Sequence, residues 1–442
     1  MYCHTVRKLK VRYALLGILL LVIVNLCLFY KISADQKHTV VPQTESSPTP
    51  KDVISYANTT FLAAKKIEEA LHGVSSFFNN YDTSEYEHNL RLLEITSSIS
   101  NITYLWEVAA KWITKDQITP PYSPLLSAIF NILENCKIIG ADITNKGTQL
   151  KVLLTLEGNQ KALFKPRWYA RNQIIEGSVY AGKDRHNGEV AAFHIARLLG
   201  LNRAPIVTGR VVNLRTEILP VSSLALNQTF FKEGNNTCFY GVCRYCKPED
   251  AVCAEGDLLE GSITLWFPNS WQLKRVRHPW QRSYSSAPAP WEVYRDFCQI
   301  IKSGRSYRDE SRLLDLVETS VFDFLIDNGD RHHYELFSVD YSSVLLIDNA
   351  KSFGNPEVDH IDILAPLYQC CRIREKLVAR LVFLKDGALS SWLKKLLRNH
   401  TLAPVLYDKH YKALNRRLTI VLAAILVCFQ DNGRENVLAS DD

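Results

Sequence analysis

The chain has 442 residues, of which 47% are hydrophobic and 22% are charged. This composition is typical of a globular protein and excludes a collagen, a coiled coil, a multi-span membrane protein and a disordered chain. Four of the basic residues that give the net charge of +6 lie in residues 1–12, so only +2 is left for the rest. A nucleic-acid-binding body would carry a larger basic excess, so we expect no nucleic-acid partner.

An apolar segment, Tyr13–Tyr30, follows the basic start and contains no charged residue. As a helix its eighteen residues would span about 27 Å, which matches the hydrocarbon core of a thin bilayer. Because the basic flank precedes it, residues 1–12 are predicted to stay in the cytosol while the following chain enters the lumen. We therefore predict an uncleaved signal anchor over 13–30. A cleaved signal peptide is the alternative.

Two further patterns agree with a lumenal body. The first is a set of five Asn-x-Ser/Thr glycosylation acceptors, namely Asn58, Asn101, Asn227, Asn235 and Asn399. The second is the position of nine of the eleven cysteines after the anchor.

The cysteines fall into groups. The first group predicts two local disulfides in an oxidising lumen, with a zinc site as the alternative, and contains Cys238, Cys243, Cys246 and Cys253. The second group could form two longer bridges whose pairing the sequence leaves open, and contains Cys298, Cys370, Cys371 and Cys428. Cys136 remains, and we expect it to be a buried thiol.

A stem over residues 31–52 separates the anchor from the fold, because its Ser/Thr/Pro-rich segment QTESSPTP has almost nothing to bury. Apolar residues then recur at helical spacing as far as Ile118 and predict two to four helices. These belong to a predicted helical N-terminal extension over 53–140, and the catalytic domain is predicted over 141–442.

The pattern changes to strands after Gly147. Two strand-like runs are joined by a turn at Gly158-Asn159, and a helix near Gly188–Leu199 and strands around Ile206–Leu214 follow. The fold class predicted from this order is α+β.

Beyond Ser311 the pattern is mostly helical, apart from a predicted hairpin over Glu335–Phe353. The apolar run Leu418–Phe429 is too short to span a bilayer and predicts a buried core helix.

Two acidic loops flank the predicted hairpin. DNGDRHHYE begins at Asp327, after an apolar helical segment, and DNAKSFG begins at Asp348, after a predicted strand Val344–Ile347. Phosphoryl transfer needs one carboxylate that accepts the proton of the acceptor hydroxyl and another that holds a divalent metal. It also needs a cation on the phosphates, and Lys165 in ALFKP is suitably placed. The layout is typical of a kinase, although Glu335 stands where protein kinases have a metal-binding Asn.

The letters of several motifs resemble the family of secretory-pathway kinases that includes the Golgi casein kinase and the glycosaminoglycan xylosylkinase. The resemblance covers about residues 147–430 and is carried by DRHHYE (330–335), DRHN (184–187), EVAAFH (189–194), GNNTCFYG (234–241) and LYQCCRIR (367–374). YAGKDRHN, GSITLWFP and DNAKSFG are similar to the xylosylkinase branch. The resemblance implies an atypical two-lobed protein-kinase-like fold behind a single transmembrane helix.

The resemblance also implies roles for individual residues. Asp330 would be the catalytic base, and Asp348 and Asp184 would be metal ligands, with Glu189 as the alternative to Asp184. Lys165 would contact the nucleotide phosphates. The remaining ATP contacts would be Gln149 on a strand covering the phosphates, Glu335 near them, and an adenine hinge of Thr264, Leu265, Trp266 and Phe267.

The implied cofactors are ATP and Mn²⁺, with Mg²⁺ as the alternative metal. The implied reaction is phosphorylation of the 2-hydroxyl of xylose in the glycosaminoglycan–protein linkage region of proteoglycans, on the lumenal side of the Golgi membrane. The alternatives are a secretory-pathway serine protein kinase, a pseudokinase that binds an active relative, and a glycosyltransferase, which the absence of Asp-x-Asp disfavours. Homo- or heterodimers with family members are further expected partners.

Overall fold

The computed structural model describes residues 50–440 except 80, 82, 145, 146 and 286, without side chains for 50–59, 84 and 85. The predicted cytosolic tail, the anchor and nearly all of the stem lie outside these residues. In the described part, helices fill the chain before the first strand. They are α1 (Pro50–Ala70), α2 (Val74–Phe78), α3 (Ser84–Arg91), α4 (Ile102–Trp112) and α5 (Leu125–Asn135).

The strands lie mainly in the middle of the chain. They are β1 (Ile138–Asp142), β2 (Val152–Leu156), β3 (Gln160–Pro166), β4 (Val207–Asn213), β5 (Phe230–Glu233), β6 (Asn236–Phe239), β7 (Val252–Cys253), β8 (Leu258–Leu265), β9 (Leu273–Arg277), β10 (His333–Phe337), β11 (Ile373–Arg374) and β12 (Leu438–Ala439). The central antiparallel sheet has the order β1-β2-β3-β8-β4. The predicted turn at Gly158-Asn159 joins β2 to β3, and both residues have the positive φ (81° and 58°) that such hairpin turns require.

The later helices build most of the second half of the molecule. They are α6 (His186–Leu198), α7 (Leu224–Asn227), α8 (Pro290–Val293), α9 (Phe297–Ser303), α10 (Glu310–Ile326), α11 (Ala365–Cys370), α12 (Glu375–Phe383), α13 (Ala388–Leu397), α14 (Asp408–Asn432) and α15 (Arg434–Val437). Every residue of α6 is buried. In α10 every residue from Leu313 to Ile326 is buried. These two helices therefore form the apolar support on which the polar loops that follow or precede them rest.

The predicted hairpin over Glu335–Phe353 does not form, and this prediction was wrong. β10 pairs with β9 instead, and the predicted strand Val344–Ile347 contributes a single bridge, between Leu345 and Glu335. The backbone N–H groups of this buried segment donate hydrogen bonds to residues that are distant in the sequence. Asp315 accepts the Val344 N–H at 2.9 Å, and the Arg203 carbonyl accepts that of Leu346 at 3.0 Å. A run of buried apolar residues thus has its hydrogen bonds without a ladder.

The apolar run Leu418–Phe429 lies within α14, as a buried core helix. Among the described residues, α14 is the one helix long and apolar enough to cross a membrane, but 72% of its apolar window is buried inside the protein. Packing against α10 through the core, rather than contact with lipid, therefore accounts for its composition.

The described residues form four disulfides, and the four cysteines of the first group are paired with one another rather than arranged as a zinc site. The bridges are Cys238–Cys253, Cys243–Cys246, Cys298–Cys370 and Cys371–Cys428. The last two resolve the pairing that the sequence left open. Cys136 is a buried free thiol, as predicted.

Candidate active site

A buried lysine gathers three carboxylates at the centre of the site. Lys165 lies on β3 opposite Ser262 of β8, and only 3% of it is exposed. Its Nζ lies 2.6 Å from Glu189 Oε1, 2.7 Å from Asp348 Oδ1 and 3.2 Å from Asp184 Oδ2. Sheet, helix and two loops therefore meet at one ammonium group.

The charges of this cluster do not balance. Burial alone would lower the pKa of Lys165, but Asp184, Asp348 and Glu189 outweigh it and raise that pKa well above its usual value. Lys165 in turn holds the pKa of Asp348 far below its usual value. Three carboxylates against one ammonium leave an excess of two negative charges in a largely buried place. This donor set of carboxylate oxygens fits a hard divalent cation.

The carboxylates differ in their remaining partners. Glu189 stands in the first turn of the buried helix α6 and uses both oxygens, because Oε2 accepts the Asn349 N–H at 3.2 Å. No described residue donates a hydrogen bond to Asp184 Oδ1 or Asp348 Oδ2. The Asp348 side chain is 67% exposed, whereas those of Asp184 and Glu189 are buried. Glu189 therefore lies on the buried side of the cluster, and Asp348 lies on its solvent-exposed side.

A buried arginine fixes the loop that carries Asp330. Helix α10 ends at Asp327 in the left-handed conformation (φ 57°), which turns the chain sharply into DNGDRHH. Arg331 then donates to both oxygens of Asp323 at 2.5 and 2.8 Å. It also donates to the Ile347 carbonyl at 2.6 Å and to Asn349 Oδ1 at 2.7 Å. Arg331 thus ties this loop to the residues on both sides of Asp348.

Asp330 itself lies at the surface, with 26% of its side chain exposed. Its Oδ1 accepts a hydrogen bond from Tyr284 Oη at 2.5 Å. His332 Nδ1 lies 2.7 Å from the Asp330 backbone oxygen and 3.6 Å from Oδ1. The hydrogen bond with Asp330 raises the pKa of His332.

Two further charged residues, Lys351 and Glu335, are influenced by the charges of the site. Burial lowers the pKa of Lys351, while Asp184, Asp330 and Asp348 act on it in the opposite direction. Its ammonium donates a hydrogen bond to the Gly182 carbonyl, two residues before Asp184. Burial raises the pKa of Glu335, and Asp348 adds to that effect. Glu335 is also 3.5 Å from Arg275 Nε.

The residues predicted from the resemblance to bind ATP are not all brought to this cluster. Gln149 does not lie on a strand, which corrects the prediction: it stands before β2, whose ladder with β3 begins only at Val152. Thr264 and Leu265 end β8 beside β3, and Trp266 and Phe267 follow in a loop.

Two backbone N–H groups of this predicted hinge are already engaged. The Leu265 N–H donates to Ile206 O at 2.8 Å, and the Trp266 N–H donates to Lys161 O at 3.0 Å. A nucleotide could not use these two donors without breaking the pairing of the sheet edge.

Three residues of the site were missed by sequence reasoning. Lys351 lies inside the DNAKSFG loop, and Lys151 follows the predicted Gln149 by two residues and helps to lower the pKa of Asp348. Both could have been found as cations within motifs already singled out. Tyr284 could not, because it stands in a loop without any motif, far from Asp330 in the chain.

A cleft lies on the other side of the DNGDRHH loop. Its volume is about 40 Å³, and its lining includes Trp280, Arg282, Trp291 and Asp362. Both indole rings are buried and donate their N–H groups to other residues of the protein, so this small cavity is part of the packing behind the loop.

Comparison with known proteins identifies relatives of the chain. The family described as "Golgi casein kinase, C-terminal, Fam20" matches residues 104–437. The human protein named glycosaminoglycan xylosylkinase is 50% identical over 339 residues, which is 76% of this chain and 83% of that protein.

Two solved structures are also similar. "The structure of hydra Fam20 with sugar" has a TM-score of 0.74 and 42% identity, and covers 76% of this chain and 98% of its own. The Golgi casein kinase with Mn/ADP bound has a TM-score of 0.73 and 30% identity, and covers 84% of this chain and 92% of its own.

Proposed function

The chain belongs to the Fam20 family, and from that premise we propose that it is an ATP-dependent sugar kinase that phosphorylates the 2-hydroxyl of xylose in the glycosaminoglycan–protein linkage region of proteoglycans. The observation that carries the kinase part is the convergence of Asp184, Glu189 and Asp348 on Lys165. The sugar acceptor is supported by the name of the human relative and by the sugar in the hydra structure.

The hydrogen-bond partners of the three carboxylates indicate a role for each of them. Glu189 has both oxygens engaged, so it serves as the fixed partner of Lys165. Asp184 and Asp348 each keep one oxygen for Mn²⁺ or Mg²⁺. The ion, when bound there, neutralises charge on the ATP phosphates. Lys165, with Lys151 and Lys351 nearby, provides the protein's own cations for those phosphates.

Asp330 is the proposed base of the reaction. It takes the proton of the xylose 2-hydroxyl as that oxygen bonds to the γ-phosphorus, and the bond from the γ-phosphorus to ADP breaks. Arg331 holds Asp330 in register with Asp348, because it follows Asp330 in the chain and bonds both residues that flank Asp348.

One assay tests this proposal. The purified protein receives labelled ATP and Mn²⁺ with either a xylose-ended linkage glycan or casein. We expect label on the glycan, loss of that label in Asp348→Ala, and no change in Asp340→Ala, which removes an exposed carboxylate away from the cluster. Label on casein but not on the glycan would replace the proposal with a secretory serine kinase.

The location is also part of the proposal. A lumenal Golgi enzyme with a type II anchor over 13–30 is supported by the sequence of that segment and by the four disulfides, which form in oxidising compartments. The acceptors Asn101, Asn227, Asn235 and Asn399 are all exposed. Protease protection of the body in sealed microsomes, together with a mass shift on glycosidase treatment, tests both statements.

A further inference from the structure

The shortest side-chain contact of Asp330 in the described part of the chain is with a phenol. Tyr284 Oη donates to Asp330 Oδ1 at 2.5 Å, while the next contact, from His332 Nδ1, is 3.6 Å long. Partial burial and this hydrogen bond raise the pKa of Tyr284, so the phenol keeps its proton and acts as the donor.

Aromatic neighbours hold Tyr284 over Asp330. The ring of Tyr180 lies 4.8 Å from that of Tyr284, and the ring of His332 meets it edge-on at 5.9 Å. The segment that carries Tyr180 packs directly on the loop of Asp330. A Cβ on Gly329 would come within 2.0 Å of Val179. The phenol is therefore placed by contacts on both sides.

The segment that carries Tyr284 is fixed at its two ends but exposed in the middle. The buried Trp280 donates its indole N–H to Gln369 Oε1 at 2.7 Å, and the buried Trp291 donates to the Gln281 carbonyl at 2.9 Å. Tyr284, between them, is 52% exposed. It can leave Asp330 by a local rotation that breaks few contacts and leaves both tryptophans in place.

A catalytic base must lie within hydrogen-bond distance of the proton that it removes. We propose that Tyr284 is the gate of the acceptor site: its phenol occupies Asp330 Oδ1, the oxygen that accepts the proton of the acceptor hydroxyl, and so keeps water from that oxygen until the acceptor arrives. This inference rests on the proposed role of Asp330 in the sugar-kinase reaction. Tyr284 acts through Asp330 and is a positioning residue.

The gate also affects a reaction that takes place without the acceptor, namely the hydrolysis of ATP. A water on Asp330 would give its proton to the carboxylate while its oxygen bonds to the γ-phosphorus, and the bond to ADP would break. The products are ADP and phosphate, so ATP would be spent without transfer. The phenol suppresses this reaction because water cannot bond to Asp330 Oδ1 while the phenol occupies that oxygen.

Tyr284→Phe tests the gate, because it removes the hydroxyl and keeps the ring. With ATP and Mn²⁺ but no acceptor, we expect ADP release to rise by roughly tenfold, the effect of losing one hydrogen bond to a charged group. The matched control is Tyr122→Phe, which removes an exposed phenol outside the site and should leave ADP release unchanged. The double variant Tyr284→Phe with Asp330→Asn should return ADP release to the background level.

The ADP release of the variants either supports or overturns the gate. Unchanged ADP release in a folded Tyr284→Phe protein would overturn the gate, and so would a rise that persists in the double variant. If the wild-type protein labels casein instead of the glycan, the sugar-kinase proposal fails, but the hydrolysis comparison still stands because it uses no acceptor. With the glycan present, the gate also predicts fewer phosphorylated glycans per ADP in Tyr284→Phe than in wild type.

Discussion

The two carboxylates proposed for chemistry, Asp348 and Asp330, stand in differently built halves of one site. Asp348 belongs to the lysine cluster, where the sheet, α6 and a loop converge on a buried ammonium. Asp330 lies on a surface loop, and its side chain touches an exposed tyrosine. Charge organises the first half, whereas hydrogen bonds and ring contacts organise the second.

The difference follows from what each half would bind. A nucleotide with its metal carries concentrated charge, and preorganised buried charges act strongly on it because the surrounding dielectric is low. A sugar hydroxyl carries none, so an exchangeable hydrogen-bonding site suits it better. Substitutions in each half should therefore affect nucleotide binding and phosphate transfer differently.

Asp348→Asn should abolish both nucleotide binding and transfer. It removes the open carboxylate of the cluster and leaves the charge of Lys165 and the metal poorly matched. The stabilisation of the protein by ATP with Mn²⁺ in a thermal unfolding experiment measures binding, and labelled ATP measures transfer. Full retention of the ATP-dependent stabilisation would contradict the assignment of Asp348.

Asp330→Asn should abolish transfer alone. Loss of a general base costs about 100- to 10,000-fold in rate, but Asp330 makes no contact with Lys165, so the stabilisation by ATP and Mn²⁺ should persist. The comparison with Asp348→Asn in the same two assays separates the halves. Equal loss of nucleotide binding in both variants would show that the site does not divide in this way.

The Cys371–Cys428 bridge stabilises the fold and does not belong to either half of the site. It ties α11 to α14 across 57 residues of chain, and replacing both cysteines by Ser should lower the free energy of unfolding by about 2–4 kcal/mol. Neither cysteine contacts the site, so transfer at 25 °C should change little. Denaturant unfolding measures the first effect. A selective loss of nucleotide binding or of transfer in the folded variant would contradict a purely structural role.

His332 gives the smallest effect, and it depends on pH. Because its pKa is raised in the folded protein, its stabilising contribution is complete below its unfolded pKa of about 6.5 and is lost as the pH rises through the folded value. The half-exposed position limits the contribution to a few tenths of a kcal/mol. Denaturant unfolding at about pH 5.5 and pH 8 measures this effect. The free energy of unfolding should decrease less between these two pH values in His332→Gln than in wild type. An equal decrease in the free energy of unfolding of the two proteins would show that His332 does not interact with Asp330 in this way.

Local patterns were sufficient to predict most of the architecture. The alternating residues around Gly158-Asn159 specify a hairpin, and helical spacing specifies α6, α10 and α14, because these signals arise from the chain's own periodicity. The segment Val344–Ile347 could not be predicted in the same way. Its apolar letters are those of a strand, but Asp315 and Arg203, distant in sequence, satisfy its backbone.

The residue types of the site can be recognised along the chain, because Lys165, Asp184, Asp330 and Asp348 stand in motifs with a known chemistry and a family resemblance. The sharing of Lys165 by three carboxylates, the pairing of the cysteines and the contact of Tyr284 with Asp330 become visible in the folded protein alone. These contacts join residues that are far apart in the chain. Their distances are set by the packing of the sheet, α6 and α10, and no local pattern encodes them.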